Sequence, residues 1–89
     1  MVRSYELLIT KKAAKQILAM PPMIRSRVLA CVEQLPSEPR PNGVKKLSGS
    51  DAYRARVGDY RIIYTVDDTV LTIRVVKAGH RRNIYEKER

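Results

Sequence analysis

The chain opens on alternation. Tyr5, Leu7 and Ile9 recur at every second position across residues 3–9, which is the spacing of one face of a strand, and Thr10 brings turn chemistry after them. The spacing then lengthens to three and four. Ala13, Ala14, Ile17 and Leu18 fall on one side of a helix that leaves Lys11, Lys12 and Lys15 in water, with Thr10 placed to cap its first turn. Pro21 and Pro22 end that helix and open the next. Over residues 23–35, Ile24, Val28, Cys31, Val32 and Leu35 make a second apolar stripe, with Arg25, Arg27 and Glu33 off it. Two short helices in a hairpin are expected.

Residues 36–43 hold three prolines, an asparagine and a glycine, so they form a loop that carries the chain to a sheet. Strand patterns follow at 44–47, a short stretch bearing Lys45 and Lys46, then at 52–57, 60–66 and 70–78. Gly58-Asp59 and Asp67-Asp68 separate the last three, and both read as tight hairpin turns. Residues 81–88 form a polar tail. The pattern predicts one α+β domain over residues 1–89, a helical hairpin packed on an antiparallel sheet.

The hairpin turns fix the register. With Gly58-Asp59 as a two-residue turn, Arg56 opposes Arg61 and Tyr53 opposes Tyr64, so that Tyr53, Ala55, Val57, Tyr60, Ile62 and Tyr64 share the core face. Arg54, Arg56, Arg61, Ile63 and Thr65 take the other face. If Asp67-Asp68 is also a two-residue turn, Leu71, Ile73 and Val75 continue the core face and Arg74 sits beside Arg61. Arg56, Arg61 and Arg74 would then run as a row across three strands, with His80 near the strand end on the same face. Like charges opposed across a sheet repel, so such a row invites an anion.

Composition sharpens this. There are 18 Lys plus Arg against 9 Asp plus Glu, a formal net charge of +9 at pH 7, which implies a polyanionic partner such as nucleic acid or an acidic protein. An anionic membrane is the weakest candidate. No apolar run approaches the roughly 20 residues of a spanning helix, and the first residues lack the apolar stretch of a signal peptide, so a cytoplasmic location is expected. Cys31 is the only cysteine and His80 the only histidine. An internal disulfide is excluded, and neither a metal site nor a cofactor is expected; Cys31 reads as a small core residue.

Arginine offers a phosphodiester permanently charged, two-pronged hydrogen bonding. It is a poor base. Cleavage of RNA by its own 2′-hydroxyl needs a proton acceptor as well, and an imidazole, with an ordinary pKa near 6.5, makes His80 the suited side chain.

The stretch Tyr53-Arg54-Ala55-Arg56-Val57-Gly58-Asp59-Tyr60-Arg61-Ile62-Ile63-Tyr64, preceded by Lys46-Leu47-Ser48-Gly49 and followed by Gly79-His80-Arg81-Arg82-Asn83-Ile84-Tyr85, resembles the RelE-like toxins of the RelE/ParE superfamily. The likeness spans nearly the whole chain. It implies a β-α-α-β-β-β fold, the helical hairpin packed on a curved antiparallel sheet, and metal-independent endoribonuclease activity on mRNA, often in the ribosomal A site. It also implies an acidic cognate antitoxin that wraps the toxin in a hetero-oligomer. Carried over, it assigns catalysis to Arg61, His80, Arg81 and Tyr85. RNA phosphates would be held by Arg54, Arg56, Arg74, Lys45, Lys46 and Arg82. Some members carry lysines at the strand positions and others use a glutamate base; this chain has arginines and no acidic residue there, which turns attention to His80. Two other readings stay open: a ParE-like poison of DNA gyrase, and a module that binds RNA without cutting it.

Overall fold

The computed structural model of the chain describes residues 4–82. Its elements are β1 (Glu6–Ile9), α1 (Lys11–Leu18), α2 (Pro22–Gln34), β2 (Lys45–Lys46), β3 (Ala52–Val57), β4 (Tyr60–Asp67) and β5 (Thr72–His80). The strands form one sheet in the order β1-β5-β4-β3-β2. The hairpin-linked strands pair antiparallel, whereas β1 runs parallel to β5 at the edge, so the sheet is mixed rather than antiparallel throughout.

The helices form where the sequence places their signals. Thr10 is extended, and its Oγ1 accepts a hydrogen bond from the Ala13 amide at 3.1 Å, closing the first turn of α1. Pro22 occupies the first turn of α2, where a missing N–H costs nothing. Ala13, Ile17 and Met20 from the first helix and its exit, with Val28, Val32 and Leu35 from the second, are buried against Ala55, Val57, Ile62, Tyr64, Ile73, Val75 and Ala78. Leu18 departs from the expected stripe, being 67 % exposed. The seam follows 13, 17 and 20, and Leu18 lies about 100° round the helix from Ile17. Cys31 packs half-buried at the edge of this core, and burial pushes its thiol up.

Two local features overturn the expected register of β5. Asp67 pairs with Thr72, so the β4–β5 turn has four residues instead of two. The Asp67 carboxylate accepts the amides of Thr69 and Val70 at 2.9 and 3.3 Å, and Leu71 takes a left-handed backbone at φ 51°. A bulge between Ile63 and Tyr64 then sets Tyr64 against Val75 and Ile63 against Lys77. The longer turn moves every β5 residue along β4 by an even number of positions, so Ile73 and Val75 keep the core face. The bulge leaves Val76 over and exchanges the faces of the residues beyond it.

At the end of the sheet holding the β4–β5 turn, a polar clasp ties the 36–44 loop to the strands. Arg40 reaches Asp68 at 2.8 Å and the Tyr53 hydroxyl at 2.9 Å, and the Tyr5 hydroxyl donates to Asp68 at 2.6 Å. Tyr64, stacked on Tyr53, donates to the Pro39 carbonyl at 2.7 Å, and burial pushes its phenol up to about 12. The Tyr5 hydroxyl and the Arg40 guanidinium hold the Asp68 carboxyl below its ordinary value. A carboxyl depressed by folding stabilises the fold above the ordinary carboxylate range and ceases to do so as pH falls through its folded pKa. Asp68→Asn is therefore expected to lower the melting temperature at pH 7, with a smaller gap to wild type at pH 3. Thermal melts at both pH values check this.

Candidate nucleic-acid interface

The site is built on the sheet face away from the helices. Arg56 opposes Arg61 across β3 and β4, as the Gly58-Asp59 turn dictates, with Gly58 in the left-handed region at φ 60°. Directly paired side chains stand about 5 Å apart at Cβ, so the two guanidinium groups share one rung of the ladder. Beside it runs a second rung, Lys45–Arg54–Ile63–Lys77, across four strands. Ile63 is buried there with Ala52, against Leu47 and Val76, giving the cationic face an apolar floor.

Arg74 is not part of the Arg56–Arg61 row. It pairs with Thr65, four positions along β4 from Arg61, which is about 13 Å at strand rise. The four-residue turn accounts for the displacement. Lys46 pairs with Tyr53 and so has the opposite parity from Lys45, on the helix side of the edge strand.

His80 also changes face. It pairs with Tyr60, whose neighbour Arg61 pairs with Gly79, because the bulge at Val76 reversed the parity of the end of β5. Its ring meets the Tyr60 ring edge-on, with centroids 5.2 Å apart, and its Nδ1 accepts the Arg82 amide at 3.1 Å. The Arg81 amide donates to the Asp59 carbonyl at 2.8 Å, which fixes the start of the tail against the Gly58-Asp59 turn. Arg81 and Arg82 themselves are exposed. At this end of the sheet Arg56 and Arg61 lie on one face and His80 on the other, with the Arg81 backbone bonded to the turn. Tyr85 lies outside the described residues.

A cleft of about 390 Å³ opens between α2 and β3, walled by Cys31, Gln34, Val44 and Ala55 and flanked by Glu38 and Arg56. Its thiol, with a pKa raised by burial, is a poor nucleophile. Among the described residues no three of His, Cys, Asp and Glu come together as metal ligands, and no helix is long and apolar enough to cross a membrane.

Residues 7–85 match the family described as the ParE toxin of the type II toxin–antitoxin system parDE. The chain belongs to this family. It is also 30 % identical over 87 residues to the toxin RelG of Mycobacterium tuberculosis, covering 93 % of this chain and 98 % of RelG. The archaeal RelE–RelB complex of Pyrococcus horikoshii holds a chain 34 % identical to it with a TM-score of 0.80, over 91 % of this chain and 99 % of that one. The RelBE2 toxin–antitoxin complex of M. tuberculosis gives 28 % identity and a TM-score of 0.77, covering 88 % and 99 %. This RelE/ParE-superfamily toxin thus carries the expected fold, two helices on a sheet whose Arg56–Arg61 rung is in the expected register.

Two cationic residues near the candidate site were not singled out from the sequence. Lys77 reaches the cationic face only through the bulge, which no glycine announces. Arg27 stands off the apolar stripe of α2, and its Nη1 lies over Gly58, 3.7 Å from where a Cβ on that glycine would sit. Nothing in local spacing links residues 27 and 58.

Proposed function

We propose that this toxin is an endoribonuclease that cuts messenger RNA without a metal ion, in the ribosomal A site, and so arrests translation in the cytoplasm. The observation that carries the reading is the Arg56–Arg61 rung at the end of the sheet where His80 and Arg81 also arrive. Two guanidinium groups on one rung offer paired, permanently charged hydrogen bonding to a dianionic or polyanionic group. A phosphodiester passing to a pentacoordinate phosphorane is such a group.

In this reading the 2′-oxygen of the RNA bonds to the adjacent phosphorus while the bond from phosphorus to the 5′-oxygen breaks. The products are a 2′,3′-cyclic phosphate and a free 5′-hydroxyl. Arg61 and Arg81 face the charge that builds on the phosphoryl oxygens, the role in which a preorganised cation contributes most. The 2′-hydroxyl proton passes to His80 Nδ1, which carries the lone pair in the observed arrangement; the Arg82 amide gives up that nitrogen as the RNA enters. The departing oxygen takes a proton from water. Arg54, Arg56, Lys45 and Lys77 hold flanking phosphates, Tyr85 stacks on a base, and Arg74, Lys46 and Arg82 make outlying contacts.

An acidic antitoxin is the proposed partner, since the solved relatives include complexes with RelB antitoxins and carboxylates would relieve a +9 surface. The ParE name of the matching family supports a second reading, poisoning of DNA gyrase. Expression without antitoxin separates the two: amino-acid incorporation is expected to fall before thymidine incorporation, and the reverse order transfers the assignment to gyrase.

A further inference from the structure

The Gly58-Asp59 turn is approached from the helix side as well as from the sheet. Arg27 leaves α2 next to buried Val28, is itself exposed, and sets Nη1 over the backbone of Gly58. Gly58 holds a left-handed φ of 60°, which favours glycine, and a Cβ there would stand 3.7 Å from Nη1, so the guanidinium lies beside the main chain at the tip. Arg56 and Arg61 form the second rung behind that tip, and the Arg81 amide is bonded to the Asp59 carbonyl. Asp59 is the acidic residue of the turn, yet Arg27 takes part in no ion pair among the described residues, where Arg40 and Asp68 do. An arginine set at the tip without a carboxylate, with two others on the second rung behind it across the sheet, has the chemistry of a phosphate grip.

We propose that Arg27 is a phosphate-binding residue that holds the RNA strand where it crosses the sheet end over Gly58, setting affinity and leaving the chemical step to Arg61 and His80. The inference rests on the endoribonuclease reading. It adds to it a path for the strand, over the tip of the β3–β4 hairpin at the end of the sheet. Arg27 touches a phosphate next to the reacting one and is not a catalytic residue.

The test measures binding of a fluorescent single-stranded RNA to an Arg61→Ala background, which blocks cleavage, at several salt concentrations. Adding Arg27→Ala is expected to weaken binding roughly tenfold, the loss of one charge-assisted contact. It should also make the slope of log affinity against log salt shallower by about 0.7, one phosphate of a single strand. Arg27→Lys is expected to restore the salt slope and part of the affinity. On the wild-type background, Arg27→Ala should raise the RNA concentration for half-maximal single-turnover rate while leaving the rate at saturation within about twofold. Unchanged affinity and slope would overturn the proposal, and so would a saturating rate that falls with affinity intact. A toxin that binds RNA with this Arg27 dependence but cuts none would instead defeat the endoribonuclease reading alone.

Discussion

Replacing Arg61 by alanine should abolish most of the cleavage and spare the fold. The side chain stands on the sheet face away from the core, opposite Arg56, so its removal exposes no core cavity. The melting temperature is expected to stay close to that of wild type. Single-turnover cleavage should fall by two or more orders of magnitude, the scale of about 3 kcal/mol for losing one preorganised contact to transition-state charge. Affinity for RNA should drop far less, because Arg54, Arg56 and Lys45 still hold flanking phosphates. Equal losses in affinity and rate would reduce Arg61 to a phosphate grip.

The second large effect concerns the proton. His80→Gln keeps an oxygen that can accept the Arg82 amide, so the start of the tail should remain against the hairpin, yet an amide cannot take up a proton near neutrality. A roughly hundredfold or greater fall in rate is expected, within the usual range for removing a general base. Because only a neutral ring offers a lone pair, the wild-type rate should depend on pH in a way that the variant's does not. A variant that keeps both its rate and its turn would make His80 an anchor for Arg82 and shift proton transfer to Tyr85 or solvent.

What the sequence conveyed followed from the chemistry of each turn. Gly58-Asp59 admits essentially one short hairpin, so the Arg56–Arg61 rung and the core face through Tyr53, Ala55, Ile62 and Tyr64 could be written down from alternation alone. Asp67-Asp68 has the same composition class but works differently. Its first carboxylate caps two later amides, and Leu71, a residue that rarely adopts positive φ, closes a four-residue turn. The bulge at Val76 carries no Gly or Asn signature. These two features together moved Arg74 away from Arg61, turned His80 to the Tyr60 side and brought Lys77 to the cationic face. Leu18 was misplaced for a simpler reason: in a helix of eight residues one position of rotation decides which side chain meets the sheet. Arg27 was invisible because the contact with Gly58 joins elements 31 positions apart.

The central claim is RNA cleavage by the toxin's own side chains. The direct measurement incubates the purified toxin with ribosomes carrying a 5′-labelled mRNA, with the A site vacant and no metal bound to the toxin after prior treatment with a chelator. Each product end is then analysed chemically. A cut within the A-site codon is expected, leaving a 2′,3′-cyclic phosphate upstream and a 5′-hydroxyl downstream, and lost in Arg61→Ala. Intact mRNA under these conditions, together with inhibition of supercoiling by purified gyrase, would contradict the claim.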